Sequence, residues 1–271
     1  MQVVVITGIA QGMGRETAKL LAAEGYAVAG YDIDAEGIKS LQAELPGDHL
    51  LEVLDVIDLK GVLKFRDRVL KKYGQVDTVL SNVGVGFFGP FEEVDLTKAA
   101  KCLEINVIGA AAIFQAFIPH MRERRSGKLI AVSSLVGQIP FPFESIYSAS
   151  KFAVEGLVHS MRLELEPFGI KMALIQPAQV STTFAAKIHV LPPEGSPYRE
   201  RVTRFINKDE ELIKTAPNPQ QAARVIADVV KNPQPKLDNQ IDFKSKFFMG
   251  LNKVLPTKLR DIILLDTMDI K

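Results

Sequence analysis

The chain has a single cysteine, Cys102, so no disulfide can form within it and nothing points to an oxidising compartment. It has no run of eighteen apolar residues, so no membrane span is expected. Its start, "MQVVVITG", lacks the basic region and small-residue cleavage site of a secretory signal. An excess of charge is missing too: 33 basic against 32 acidic residues leave a formal charge of +1, which offers no global field to nucleic acid or acidic partners. The four histidines, His49, His120, His159 and His189, fall at no metal-ligand spacing, so no metal is expected. Cys102 falls in a helical stretch and reads as packed rather than reactive. The expectation is a soluble, cytoplasmic protein of one domain, its large core built from 47% hydrophobic residues.

What is present is alternation. Apolar runs at 3–7, 27–31, 49–54, 76–81, 128–134 and 171–176 alternate with helix-patterned segments such as 14–25, 59–74 and 155–169. Strands apolar on both sides suit a parallel sheet covered by helices, which predicts a doubly wound (Rossmann) α/β fold. Right-handed crossovers then bring every strand C-terminus to one edge, where a ligand binds.

The first strand runs into "TGIAQGMG", with Gly8, Gly12 and Gly14 ahead of a helix. Glycines there let the backbone turn tightly and approach a pyrophosphate at a helix N-terminus. The second strand ends at Asp32, whose carboxylate suits a ribose hydroxyl and repels a 2′-phosphate, so NAD is favoured over NADP. Arg15 is the neighbour placed to greet a phosphate instead, and Asp34 reads as a helix-start residue. "LDV" (54–56) sets Asp55 toward an adenine amino group and Val56 against its ring, while "SNVG" (81–84) carries Asn82 and Gly84 past the adenosine. In "SIYSASKFAVEG" (145–156), Tyr147 and Lys151 stand one helical turn apart on one face. Such a pair is either a solvated helix pair or the working part of a proton-transfer site.

Beyond Pro177 the pattern changes. Residues 183–216 read as a flap whose Phe184, Ile188, Val190, Leu191 and Phe205 close over a substrate, the alternative being a surface excursion with one short helix. His189 is the histidine placed to touch substrate there.

In this order, "TGIAQGMG", Asp32, "LDV", "SNVG", "INVIG" (105–109), "SSLVG" (133–137), "YSASK" (147–151) and "QPAQVST" (176–182) resemble the short-chain dehydrogenase/reductase family over residues 1–245. The resemblance implies that Tyr147 gives or takes the proton and that Lys151 lowers its pKa and binds the nicotinamide ribose. Ser134 would polarise the substrate oxygen, and Asn106 would support a water-linked proton relay. Cofactor contacts are implied for Gly8, Gln11, Gly12, Met13, Gly14, Asp32, Ile33, Asp55, Val56, Asn82, Gly84, Tyr147, Lys151, Pro177, Val180 and Thr182. Bringing a phenol from ~10 to ~7 takes about 4 kcal/mol. A cation about 4 Å away supplies that much at an effective dielectric of ~20.

The activity implied is NAD(H)-dependent interconversion of a secondary alcohol and a ketone or aldehyde, the alternative being a non-catalytic NAD(H)-binding sensor or scaffold. Phe87, Phe88, Phe141 and Phe143 suggest an extended apolar substrate, in the manner of hydroxysteroid and retinol dehydrogenases. Two departures from the family pattern, Ala178 and Val83, put cofactor affinity rather than mechanism in question. Helices near 97–121 and 147–168 resemble the surface through which the family forms dimers or tetramers. Residues 246–271 are the least family-like, an extension rather than a domain, with a helix interrupted at Pro256. The extension packs on the domain or covers the substrate mouth, joins a subunit contact, or lies on a membrane through its lysines; for the chain as a whole no membrane partner is expected.

Overall fold

The computed structural model describes residues 1–181 and 192–271. Seven strands form one parallel sheet in the order β3-β2-β1-β4-β5-β6-β7. They are β1 (Val3–Thr7), β2 (Ala27–Asp32), β3 (Leu50–Val53), β4 (Thr78–Ser81), β5 (Gly127–Val132), β6 (Ile170–Gln176) and β7 (Asp238–Gln240). The helices between and after them are α1 (Gly12–Ala23), α2 (Ala35–Glu44), α3 (Leu59–Tyr73), α4 (Leu96–Leu103), α5 (Gly109–Arg124), α6 (Ser145–Leu165), α7 (Arg199–Lys214), α8 (Pro219–Lys231), α9 (Phe243–Val254) and α10 (Thr257–Thr267).

The period-2 side-chain alternation of a strand divides the core into two layers. Val3 and Val5 of β1 join the core under α3, α5 and α6, while Val4 and Ile6 join the core under α1, α2 and α8. Both layers are apolar because both sheet faces are covered, which is why a central strand such as β1 reads as an unbroken apolar run. The strand order reverses between β1 and β4, and a crevice opens outside the carboxyl ends of such strands.

The run from Leu96 to Arg124 is long and apolar enough by length and composition to cross a membrane. Ile113, Phe114, Phe117 and Met121 on it are fully buried beside the sheet, so it serves as a core helix here. Between α4 and α5 it widens into one π-helical turn, Glu104–Ile108.

Two regions differ from expectation. The second half of the expected flap is the four-turn helix α7, because Val202, Phe205, Ile206 and Asp209 recur at helical spacing on one buried face. Residues 182–191, which hold Phe184, Ile188, His189, Val190 and Leu191, lie outside the described residues. The seventh strand has only three residues, Asp-Asn-Gln, and no apolar pattern; it forms because β6 offers an open edge to pair with. The tail breaks at Pro256 as expected and packs onto the body through Met249, Met268 and Ile270.

Candidate active site

The first strand delivers a glycine loop to the crevice. Gly8 (φ 67°) and Gly12 (φ 58°) occupy the left-handed region that a side chain disfavours. A Cβ on Gly14 would fall 2.2 Å from the Gly8 carbonyl oxygen, so loop and helix approach as only glycine permits. Asn82 braces this loop from β4, its Nδ2 donating to the carbonyls of Thr7 (3.2 Å) and Gly8 (2.9 Å). Gln11 places no side-chain cap on α1, and the first turn carries no acid, so the positive end of the helix faces the crevice. Asp32, almost buried at the end of β2, accepts from the backbone N–H groups of Ala10 (3.0 Å) and Asp34 (3.1 Å). Beside it Ile33 stands 69% exposed, an apolar rim that a flat ring can cover.

Farther along the same edge, four polar side chains are packed among buried apolar ones. Asn106, on the π turn, accepts from Val85 N–H (2.7 Å) and donates to Val85 C=O (2.8 Å) and to Ser150 Oγ (2.9 Å). Ser134 lies two residues beyond β5, and its hydroxyl hydrogen-bonds the Tyr147 phenol. Lys151, one turn beyond Tyr147 on α6, places Nζ 5.7 Å from the centre of that ring and donates to Val132 C=O at 2.9 Å. Gly84 makes room for this: a Cβ on it would lie 3.2 Å from Lys151 Nζ and 3.6 Å from Asn106 Oδ1. Phe88 stacks on Tyr147 with ring centres 6.3 Å apart.

The charges follow from burial. Loss of water pushes the Tyr147 phenol well above its ordinary range, the Glu144 carboxylate pushes it further, and the Ser134 hydrogen bond pulls the other way. Burial brings Lys151 down to about 8, against the pull of Cys102 and Glu155. Glu144, three residues before Tyr147, is itself raised by burial and by nearby Asp209 of α7.

Leu135, the residue after Ser134, lines a cavity of about 270 Å³. Leu135, Ile139, Phe141 and Ala178 form its inner wall, and Phe248, Leu251, Leu255 and Leu264 of α9 and α10 form the outer one. Ser245 at the start of α9 accepts from Ala178 N–H at 2.9 Å, which ties this roof to the loop after β6.

A glycine-cradled helix end, a phenol hydrogen-bonded to a serine and a lysine one turn away now stand on one sheet edge. The family model described as "short chain dehydrogenase" matches residues 2–190. The chain belongs to the short-chain dehydrogenase family. It is 33% identical to 17-beta-hydroxysteroid dehydrogenase type 1 of Homo sapiens over 252 residues, covering 87% of this chain and 76% of that protein. It is 28% identical to 3-ketodihydrosphingosine reductase of Bacteroides thetaiotaomicron, covering 89% of this chain and 87% of that one. Its fold superposes on a short-chain dehydrogenase from Streptomyces avermitilis with a TM-score of 0.84 at 28% identity, covering 99% of this chain and 97% of that one.

Asn106, Ser134, Tyr147 and Lys151 are brought together at this sheet edge. The expectation that Lys151 lowers the Tyr147 pKa is corrected: in this structure the phenol is raised and the lysine is the lowered group. The physical reason is that the ammonium lies beside the ring and donates to Val132 C=O, while burial penalises both charged forms. Val56 is corrected in part, since its side chain is buried in the core against Gly109, leaving its backbone for an adenine. Asp55 is exposed and accepts from Ile57 N–H at 3.2 Å. Met13 and Val180 are half-buried, and Pro177 is buried with its carbonyl accepting from Leu135 N–H at 2.7 Å. Thr182 lies outside the described residues.

Arg15 is committed elsewhere, to Ala10 C=O, Gly37 C=O, Ser40 and Glu44. Asp34 caps α2, accepting from Gly37 N–H at 3.0 Å, and Cys102 is buried, its thiol pushed up to about 11. Ser133 sits on the other side of the strand end from Ser134, under Gly137 beside Glu155. Sequence reasoning passed over Glu144 and Asp209. The signal for Glu144 was its place one turn ahead of Tyr147; Asp209 lies far along the chain and only the packing of α7 reveals it. Glu155, His159 and Asp238 also converge within 4.8 Å of one another. Gln176 Nε2 lies between the carboxylates, donating to Glu155 at 3.0 and 3.1 Å and to Asp238 at 3.2 Å, a polar seam between α6, β6 and β7.

Proposed function

We propose that this dehydrogenase interconverts a secondary alcohol and a ketone or aldehyde on an apolar substrate, with NAD(H) as cofactor. The observation that carries the reading is the Ser134–Tyr147 hydrogen bond with Lys151 on the same ring, next in the chain to Leu135, which lines an apolar cavity. The loop of Gly8, Gly12 and Gly14 with the open end of α1 suits a pyrophosphate, and Asp32 suits the adenosine ribose. When bound, the nicotinamide supplies or accepts the hydride.

The protein's own groups handle the proton and the oxygen. Tyr147, held protonated by burial, is in the form that donates to a carbonyl oxygen during reduction; in oxidation the same atom takes the alcohol proton. Ser134 Oγ, next to that phenol, turns its one O–H from the phenol to the reacting oxygen when substrate is present. Lys151, beside the ring of Tyr147, offers N–H donors to a ribose. Asn106 uses its amide on Val85 and Ser150, so it positions the strand end and α6. Leu135, Phe141, Phe248 and Leu264 select for apolar bulk.

The preference for NAD rests on Asp32 and on Arg15, whose guanidinium is tied to Glu44 at 2.6 Å and to three other acceptors. The test is a panel of hydrophobic secondary alcohols and ketones assayed with NAD(H) and NADP(H) by reduced-nicotinamide absorbance. Turnover favouring NAD(H) supports the reading; tight NADH binding with no turnover on any panel member contradicts it and points to a sensor.

A further inference from the structure

On α9, Phe243, Phe247, Gly250 and Val254 recur at i, i+4, i+7 and i+11, one stripe about 60° wide at 100° per residue. This stripe faces outward: Phe243 is 78% exposed, Phe247 52% and Val254 76%. The next helix adds Leu259 and Ile262, about half exposed. Large apolar side chains clustered in this way mark a surface made to meet something apolar. Segment 243–262 carries five bases, Lys244, Lys246, Lys253, Lys258 and Arg260, against one acid, Asp261. Among the described residues, no carboxylate lies within ion-pair distance of Lys244, Lys246 or Lys258. Apolar side chains flanked by unpaired cations match an interface whose interior is hydrocarbon and whose surface is anionic.

A second row, Lys244, Phe248 and Leu251 of α9 with the capping Leu255, lies about a quarter-turn around from the stripe and lines the cavity that Leu135 also borders. Phe247 of the outer row and Phe248 of the inner row touch edge to face, ring centres 5.8 Å apart. Apolar surface is therefore continuous from the outside of the tail to the cavity wall. We propose that the outer face of α9 and α10 docks on an anionic lipid bilayer, so that an apolar substrate passes from the membrane into the cavity without crossing water. This departs from the expectation of no membrane partner. The passage of substrate rests on the proposed function; the docking does not.

The experiment is co-sedimentation of the full-length chain with phosphatidylcholine vesicles, with and without phosphatidylserine. Binding to the phosphatidylserine vesicles that weakens with salt is expected. Phe243→Ser with Phe247→Ser, and separately Lys246→Glu with Lys258→Glu, should each lower vesicle affinity about tenfold or more. Melting temperature and NADH binding should be unchanged, since none of these four side chains lines the cavity or the glycine loop. Absence of binding to anionic vesicles, or binding that both variants retain, overturns the proposal. So does a finding, by sedimentation velocity without lipid, that the Phe243/Phe247 variant splits an oligomer, because the stripe would then be a contact between copies of this chain. Vesicle binding is read without turnover, so a failed docking and a failed catalytic reading are separate results.

Discussion

Replacing Lys151 by methionine should make the protein more stable while it stops working. A lysine held at about 8 rather than its ordinary 10.5 carries a penalty of about 3 kcal/mol on its charged form. Methionine removes that penalty but leaves Val132 C=O without its 2.9 Å donor, a loss of about 1 kcal/mol. The net expectation at pH 7 is about 2 kcal/mol of added stability, or about 5 °C in melting temperature. The sign of the pH dependence follows from where the proton sits. Below about pH 8 both folded and unfolded chains hold the lysine proton, and the penalty is felt in full. Between about 8 and 10.5 only the unfolded chain holds it, so raising the pH stabilises the wild type and the penalty disappears above that window. The advantage of Lys151→Met should therefore shrink by about 1 kcal/mol between pH 7 and pH 9. Denaturant melts of both proteins at the two pH values measure this directly. A variant less stable than wild type at pH 7, or an advantage unchanged at pH 9, would refute the claim that burial strains this cation.

Other changes test other parts of the site. Asp32→Ala should cut the selectivity for NAD over NADP about tenfold or more, worth ~1.4 kcal/mol; unchanged selectivity in kcat/KM would remove the ribose contact from the account. Glu144→Gln takes away one of the three influences that raise the Tyr147 phenol, so the ionisation seen in the pH profile of kcat/KM should move to lower pH. A profile that stays in place or moves upward counts against that coupling. Asn106→Ala strands both backbone groups of Val85 and should cost about 2–3 kcal/mol in denaturant melts; a loss well under 1 kcal/mol would mean that Asn106 is not a clamp.

How much of this was legible in the sequence depends on the range of the interaction concerned. Strands such as β1 could be read because burial on both faces leaves Val, Ile and Leu little competition, as in "VVVIT". The glycine loop could be read because its three glycines answer local backbone demands at Gly8, Gly12 and Gly14. Tyr147 and Lys151 could be read because four residues on a helix fix a distance. Strand β7 could not, since three polar residues carry no periodic signal and only the β6 edge makes them a strand. The charge states could not be read either: the sequence placed a cation beside the phenol, but the direction of each shift depends on burial and on Glu144. Asp209 reaches Glu144 through the packing of α7, 65 residues along the chain. Such contacts belong to tertiary structure, and no local pattern announces them.

The central claim is that the Tyr147 hydroxyl moves the proton, and Tyr147→Phe tests it by deleting one oxygen while keeping the ring against Phe88. With a ketone or alcohol that the wild type turns over, the variant should lose about a thousandfold or more in kcat/KM, while NADH affinity by fluorescence titration stays within about threefold. Near-normal turnover in that variant would contradict the account.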